Sequence, residues 1–146
     1  MHQPYQITDL GSRKLVEWPE RRSASNDSDH VAARPPSATH RTPAVVSLIG
    51  HTALVPLTRI ADGFSDHVRL AVKLEGLNPG GSVKDRAALF IVREALRNGS
   101  LGPGRTLVDA TSGNTGIAYA MLGAALGFRV HLALPADVSP ERIQIL

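Results

Sequence analysis

Leu77-Asn78-Pro79-Gly80-Gly81-Ser82-Val83-Lys84-Asp85-Arg86 is the stretch on which the chain turns. Asn-Pro-Gly-Gly is turn chemistry: proline pre-sets one backbone angle, and glycine reaches angles closed to other residues. Ser82 reads as a helix N-cap, with Asp85 three residues on in the capping-box position. Lys84 then falls in the first turn of a helix, at the mouth of a glycine-lined loop. The helix dipole opposes a further positive charge there, a condition that favours the free amine needed for Schiff-base chemistry. A lone lysine is most often a solvated charge. A phosphate-binding P-loop does not fit, because Ser82 and Val83 separate Gly81 from the lysine. The Ser-x-x-Lys spacing of another nucleophile motif is missed by one residue.

Outward from this loop the chain alternates. Residues 68–74 (Val-Arg-Leu-Ala-Val-Lys-Leu) predict a strand before it. The helix opened by Ser82 is expected to run to Asn98-Gly99. Val83, Ala87, Phe90, Ile91 and Ala95 form its buried stripe, widened by Leu89, Val92 and Leu96, with Arg86, Arg93, Glu94 and Arg97 toward water. Next come a strand over 106–110, a helix over 117–126 stopped by Gly127, and a strand over 129–134. Ser139-Pro140 opens a last helix, with proline at its favoured first position. Strand–helix alternation with short turns predicts an α/β fold, a parallel sheet with flanking helices. Both glycine-rich turns then lie at the carboxyl edge of that sheet and face one another, where such sheets bind ligands.

The second turn is Thr111-Ser112-Gly113-Asn114-Thr115-Gly116. Its backbone N–H groups at a helix start, with three hydroxyls, suit a small anion such as a carboxylate or phosphate. Asn114 both donates and accepts, which suits a phenolate or hydroxyl oxygen. Taken alone, the same residues describe a helix cap with an Asx turn. Asp109 reads as a structural carboxylate at a strand end. His51 and His131 have no neighbours at metal-ligand spacing, so no metal is expected.

At 146 residues and a net charge of +3, the chain reads as one domain. Residues 1–43 read as a disordered extension, because 21–30 show no period and Pro35, Pro36 and Pro43 interrupt the remainder. Residues 44–146 carry the folded part. No basic face interleaved with aromatics points to nucleic acid. No segment has the length of a membrane span or the layout of a secretory signal. With no cysteine, disulfides and thiolate metal sites are excluded within the chain, and a cytoplasmic location is expected.

The segments around Ile49-Gly50-His51-Thr52-Ala53-Leu54-Val55, Lys73-Leu74-Glu75 through Arg86, Thr111 to Gly116, and Pro135 onward closely resemble the cysteine synthase (O-acetylserine sulfhydrylase) branch of the fold-type II pyridoxal-phosphate enzymes. The resemblance implies pyridoxal 5'-phosphate held covalently by Lys84, which also shuttles the substrate α-proton. It implies Asn114 on the cofactor's 3' oxygen, and Thr111, Ser112, Gly113, Asn114 and Thr115 around the substrate carboxylate. The implied reaction is β-replacement: O-acetylserine loses acetate, and sulfide adds to make cysteine. A homodimer using a small amino-acid substrate and sulfide is implied as well. His51, Ala53 and Asp109 stand where the family usually has asparagine, proline and glutamate.

The family's phosphate cradle and most of its large domain lie beyond the equivalent of Leu146. The chain is therefore expected to be an amino-terminal fragment with an uncovered apolar face, prone to associate. Cystathionine β-synthase and the serine/threonine dehydratases share the chemistry, although Ser139-Pro140-Glu141-Arg142 favours cysteine synthase over the dehydratases. A truncated, non-catalytic paralogue acting as a binding module is the alternative.

Overall fold

The computed structural model describes residues 6–9, 11–18, 42–65, 67–111 and 113–146. Strand β6 (Arg129–Pro135) is central. Its period of two sends Val130, Leu132 and Leu134 into the core. Strand β5 (Thr106–Asp109) runs parallel to it, with Leu107 opposite Val130. Helix α4 (Asn114–Leu126) joins the two strands and packs against β6, as a parallel pair requires. Gly127 ends α4 at φ +82°, its N–H donating to the Gly123 carbonyl at 2.8 Å. Ser139 caps α5 (Pro140–Ile145), its Oγ accepting the Arg142 N–H at 3.3 Å, with Pro140 at the helix start. These elements fall where the sequence places them.

The extension is a different matter. Strands β1 (Gln6–Asp9) and β2 (Arg13–Trp18) form a hairpin, and β2 pairs antiparallel with the free edge of β6. The sheet order is β1-β2-β6-β5, so only one of its three strand pairs is parallel. The expectation of an unstructured extension therefore does not hold for 6–9 and 13–18. Residues 1–5, 10 and 19–41 of it lie outside the described residues. The physical reason is edge satisfaction. An apolar strand such as β6 presents a row of unpaired N–H and C=O groups, and β2 bonds them. Val16 is fully buried, opposite Leu132 on β6. Asp9 Oδ1 accepts the Gly11 N–H at 2.9 Å, and Gly11 takes φ +79° to turn the hairpin.

The strand expected over 68–74 shortens to β4 (Ala71–Lys73) and leaves the main sheet. It pairs antiparallel with β3 (Leu54–Pro56) in a separate two-stranded ribbon. This replaces the expected first strand of a parallel sheet. Between these strands lies the short helix α2 (Thr58–Ala61). A further short helix, α1 (Ala44–Ser47), seats Val46 in the core.

Helix α3 (Lys84–Arg97) packs along α4. The face it buries is Ala88, Leu89 and Val92, with Ala95 half-buried. The expected stripe through Val83, Ala87, Phe90 and Ile91 instead faces solvent, with Phe90 70% and Ile91 52% exposed. Leu96, expected to widen that stripe, is 41% exposed. Both rows satisfy a helical period, and period alone does not say which row a neighbour covers. No described helix is long and apolar enough to cross a membrane.

Candidate functional site

The loop before α3 is held by side chains at both ends. The Ser82 Oγ accepts the Lys84 N–H at 3.1 Å, so Ser82 does bond the helix start, although α3 proper begins one residue later than a capping box requires. Asp85 does not close the box. Its carboxylate Oδ2 accepts the Gly80 N–H at 2.5 Å, reaching five residues back, and the side chain is fully buried. Burial pushes its pKa up, against the lowering effect of the Gly80 bond. Glycine at 80 leaves room for this carboxylate: a Cβ would sit 2.9 Å from Asp85 Cγ.

One residue on, Arg86 does not face water as expected. Its Nε donates to Glu75 Oε2 at 2.7 Å, and its Nη2 donates to Glu75 Oε1 and Thr52 Oγ1, each at 3.0 Å. This forked arrangement matches guanidinium to carboxylate geometry. Thr52 Oγ1 donates to Glu75 Oε1 at 2.9 Å, while Asn78 Nδ2 donates to Glu75 Oε2 at 2.9 Å. Asn78 Oδ1 accepts the Gly50 N–H at 2.9 Å, and the Lys73 ammonium donates to Thr52. The network joins the 50–52 loop, the end of β4, the turn over Glu75–Leu77 and the start of α3. Pattern reading missed it because its hydrogen-bonded partners lie up to 34 residues apart.

The network carries a pH prediction. The Arg86 hydrogen bonds hold the Glu75 carboxyl at about 2, well below its ordinary 4.5. A depressed folded-state pKa contributes stability that is fully present above the ordinary value and lost as pH falls toward the folded one. Urea midpoints of the parent and Glu75→Gln should therefore differ most above about pH 4.5 and converge between there and pH 2. A gap that stays constant across that window would exclude this linkage.

The Lys84 side chain is exposed and makes no hydrogen bond or ion pair among the described residues. Its neighbours are pinned while its amine is free. At the second turn, Asn114 is exposed in the first position of α4 and Thr115 is half-buried beside it. Gly113 sits at the cap position and offers no side chain to the first turn; the Gly116 N–H donates to the Gly113 carbonyl at 3.0 Å, which among the described residues leaves the Asn114 and Thr115 N–H groups for an anion. Thr111 Oγ1 accepts the Gly113 N–H at 3.3 Å. Ser112 lies outside the described residues. Gly116 lets the turn approach β6 closely, since a Cβ would meet Leu132 Cδ1 at 3.0 Å and Thr111 Cγ2 at 3.2 Å.

Thr111 also lines a cavity of about 350 Å³ at the carboxyl ends of β5 and β6, with Ala110, Leu134, Ser12 and Arg13. The hairpin thus brings a cation to this edge that reading 1–43 as an extension overlooked. Lys84 and Asn114 lie at the starts of two helices that pack on each other, but no described hydrogen bond joins them. Because β4 is outside the main sheet, the two turns do not share one sheet's carboxyl edge as expected.

A family model described as "Pyridoxal-phosphate dependent enzyme" matches residues 45–146. The chain belongs to that family. Its fold is that of the fold-type II branch, and its relatives are cysteine synthases and cystathionine β-synthases. It is 50% identical over 103 residues to a cysteine synthase of Aquifex aeolicus, covering 70% of this chain and 32% of that protein. It is 38% identical over 120 residues to cystathionine β-synthase of Rattus norvegicus, covering 82% of this chain and 21% of that one. The crystal structure of a cysteine synthase from Entamoeba histolytica superposes with TM-score 0.62 at 35% identity, over 82% of this chain and 35% of that one. The chain spans about a third or less of these relatives' length. Arg13 and the rest of the hairpin precede the matched residues.

Proposed function

We propose that this chain provides the cofactor-lysine part of a cysteine-synthase-like β-replacement catalyst. The observation that carries the reading is Lys84: an exposed amine with no partner among the described residues, on a helix start that Ser82, Asp85 and Arg86 hold in place, within the family match. The residues present fit pyridoxal phosphate at two ends. A free amine suits its aldehyde, and the exposed Asn114 suits its ring oxygen. When bound, that group supplies a sink for negative charge developing at the substrate α-carbon.

In this reading Lys84 holds the cofactor covalently and afterwards moves the α-proton. Thr111, Ser112, Gly113 and Thr115 hold the carboxylate of an amino acid such as O-acetylserine, with the first-turn N–H groups of α4. Sulfide is the second substrate. A homodimer belongs to the same reading, and the exposed Val83 before α3 with Phe90 and Ile91 on it support association through an apolar face. Light scattering that found a compact monomer would count against the dimer.

The test is reductive trapping. Incubation with pyridoxal 5'-phosphate and then borohydride should leave a reduced adduct at Lys84, located by peptide mass spectrometry. The visible absorbance band should vanish in Lys84→Ala. A band of equal intensity in Lys84→Ala, or an adduct spread evenly over Lys14, Lys73 and Lys84, would remove the reading.

A further inference from the structure

We propose that Asp85 is a positioning residue for Lys84: its buried carboxylate ties the Gly80-Gly81 turn to the first turn of α3 and so sets the base from which the Lys84 amine extends. The inference rests on reading Lys84 as the cofactor lysine.

Three observations carry it. Asp85 is 0% exposed, although it occupies the first turn of a helix, where acids are ordinarily solvated. Its Oδ2 accepts the Gly80 N–H, whereas its Oδ1 is buried with no hydrogen-bond partner among the described residues. A solvent-facing acid would favour a helix start without that desolvation, so helix stabilisation alone does not account for the arrangement. Finally, the turn is shaped to receive this carboxylate. A Cβ on Gly80 would collide with it, and Gly81 adopts φ +80°, a conformation strained for other residues.

What Asp85 supplies is an anchor across a glycine pair that would otherwise sample many conformations. Lys84 stands between two such anchors. Asp85 holds the loop in front of it, and Arg86 is forked onto Glu75 behind it. Reactive groups need this kind of rigid support, because displacement of a base by about 1 Å costs orders of magnitude in rate.

The test uses the full chain and the rate of reductive trapping by pyridoxal 5'-phosphate at each lysine. Lys14 is the internal control, and thermal melting verifies that each variant is folded. Asp85→Ala should slow trapping at Lys84 by about 10-fold or more and leave Lys14 unchanged. Gly80→Ala, which displaces the carboxylate from the other side, should do the same. Asp85→Asn keeps an oxygen for the Gly80 N–H and should restore most of the parent rate. This rescue is one that a general loss of structure would not give.

If folded Asp85→Ala and Gly80→Ala both trap Lys84 at the parent rate, the proposal is overturned while the cofactor-lysine reading stands. If Asp85→Ala does not fold, Gly80→Ala against Asp85→Asn decides in the same way. If the parent chain shows no preference for Lys84 over Lys14, the cofactor-lysine reading falls, and this proposal falls with it.

Discussion

Val16→Asp is expected to destabilise the chain by about 4 kcal/mol or more, enough to remove most of the stability of a domain at the low end of the ordinary range and to shift its urea midpoint strongly downward. Val16 is fully buried and sits between Ile7 on one neighbouring strand and Leu132 on the other. A carboxylate there has no partner within the apolar core and must desolvate or pull β2 off the sheet. Losing β2 would expose the edge of β6, the strand that carries Val130, Leu132 and Leu134. Thr8→Asp, on an exposed position of the same hairpin, is the control and should stay within about 0.5 kcal/mol. Equal urea midpoints for both variants and the parent would show that the hairpin contributes nothing to the fold. The outcome thus separates a sheet strand from a loose extension.

Gly123→Val should cost about 3 kcal/mol, at the upper end of overpacking effects. A Cβ at Gly123 would lie 2.6 Å from Val130 Cγ2 and 3.1 Å from the Phe128 carbonyl oxygen. Val130 is itself fully buried on the central strand, and the carbonyl belongs to the backbone, so neither can yield cheaply. The substitution therefore forces α4 away from β6 along their contact. Ala87→Val, on an exposed position of α3, separates this effect from the intrinsic helix cost of a β-branched residue, which is a few tenths of a kcal/mol. Thermal melting of the pair would measure the difference. Melting temperatures that fall together would mean that the helix–sheet contact at Gly123 is looser than described.

At both positions local pattern and tertiary context part. Gly123 lies within a run of small and apolar residues that reads as helix from sequence. That the glycine serves close approach to β6 is visible only once the strand is in place. Likewise, the polar, period-free residues at 21–30 set the expectation for the whole of 1–43, and the hairpin around Gly11 became visible only once β2 was seen on the edge of β6.

Local and chemical features were legible in residue order. Turn residues at 78–81 and 111–116, the helical and alternating apolar periods, the stop at Gly127 and the helix start at Ser139-Pro140 located α3, β5, α4, β6 and α5 to within a few residues. The two motifs in order also pointed to the family, because residue type and spacing around Lys84 and Asn114 are read along the chain without reference to spatial neighbours. Folding in three dimensions settled the rest. It chose which face of α3 is covered, moved β4 out of the main sheet, and brought β2 onto the free edge of β6. It turned Asp85 to Gly80 and Arg86 to Glu75. Each of these depends on which partner is nearest in space. Hydrophobic burial and hydrogen bonding reward any suitable partner, near or far in the chain, and periodicity carries no record of it.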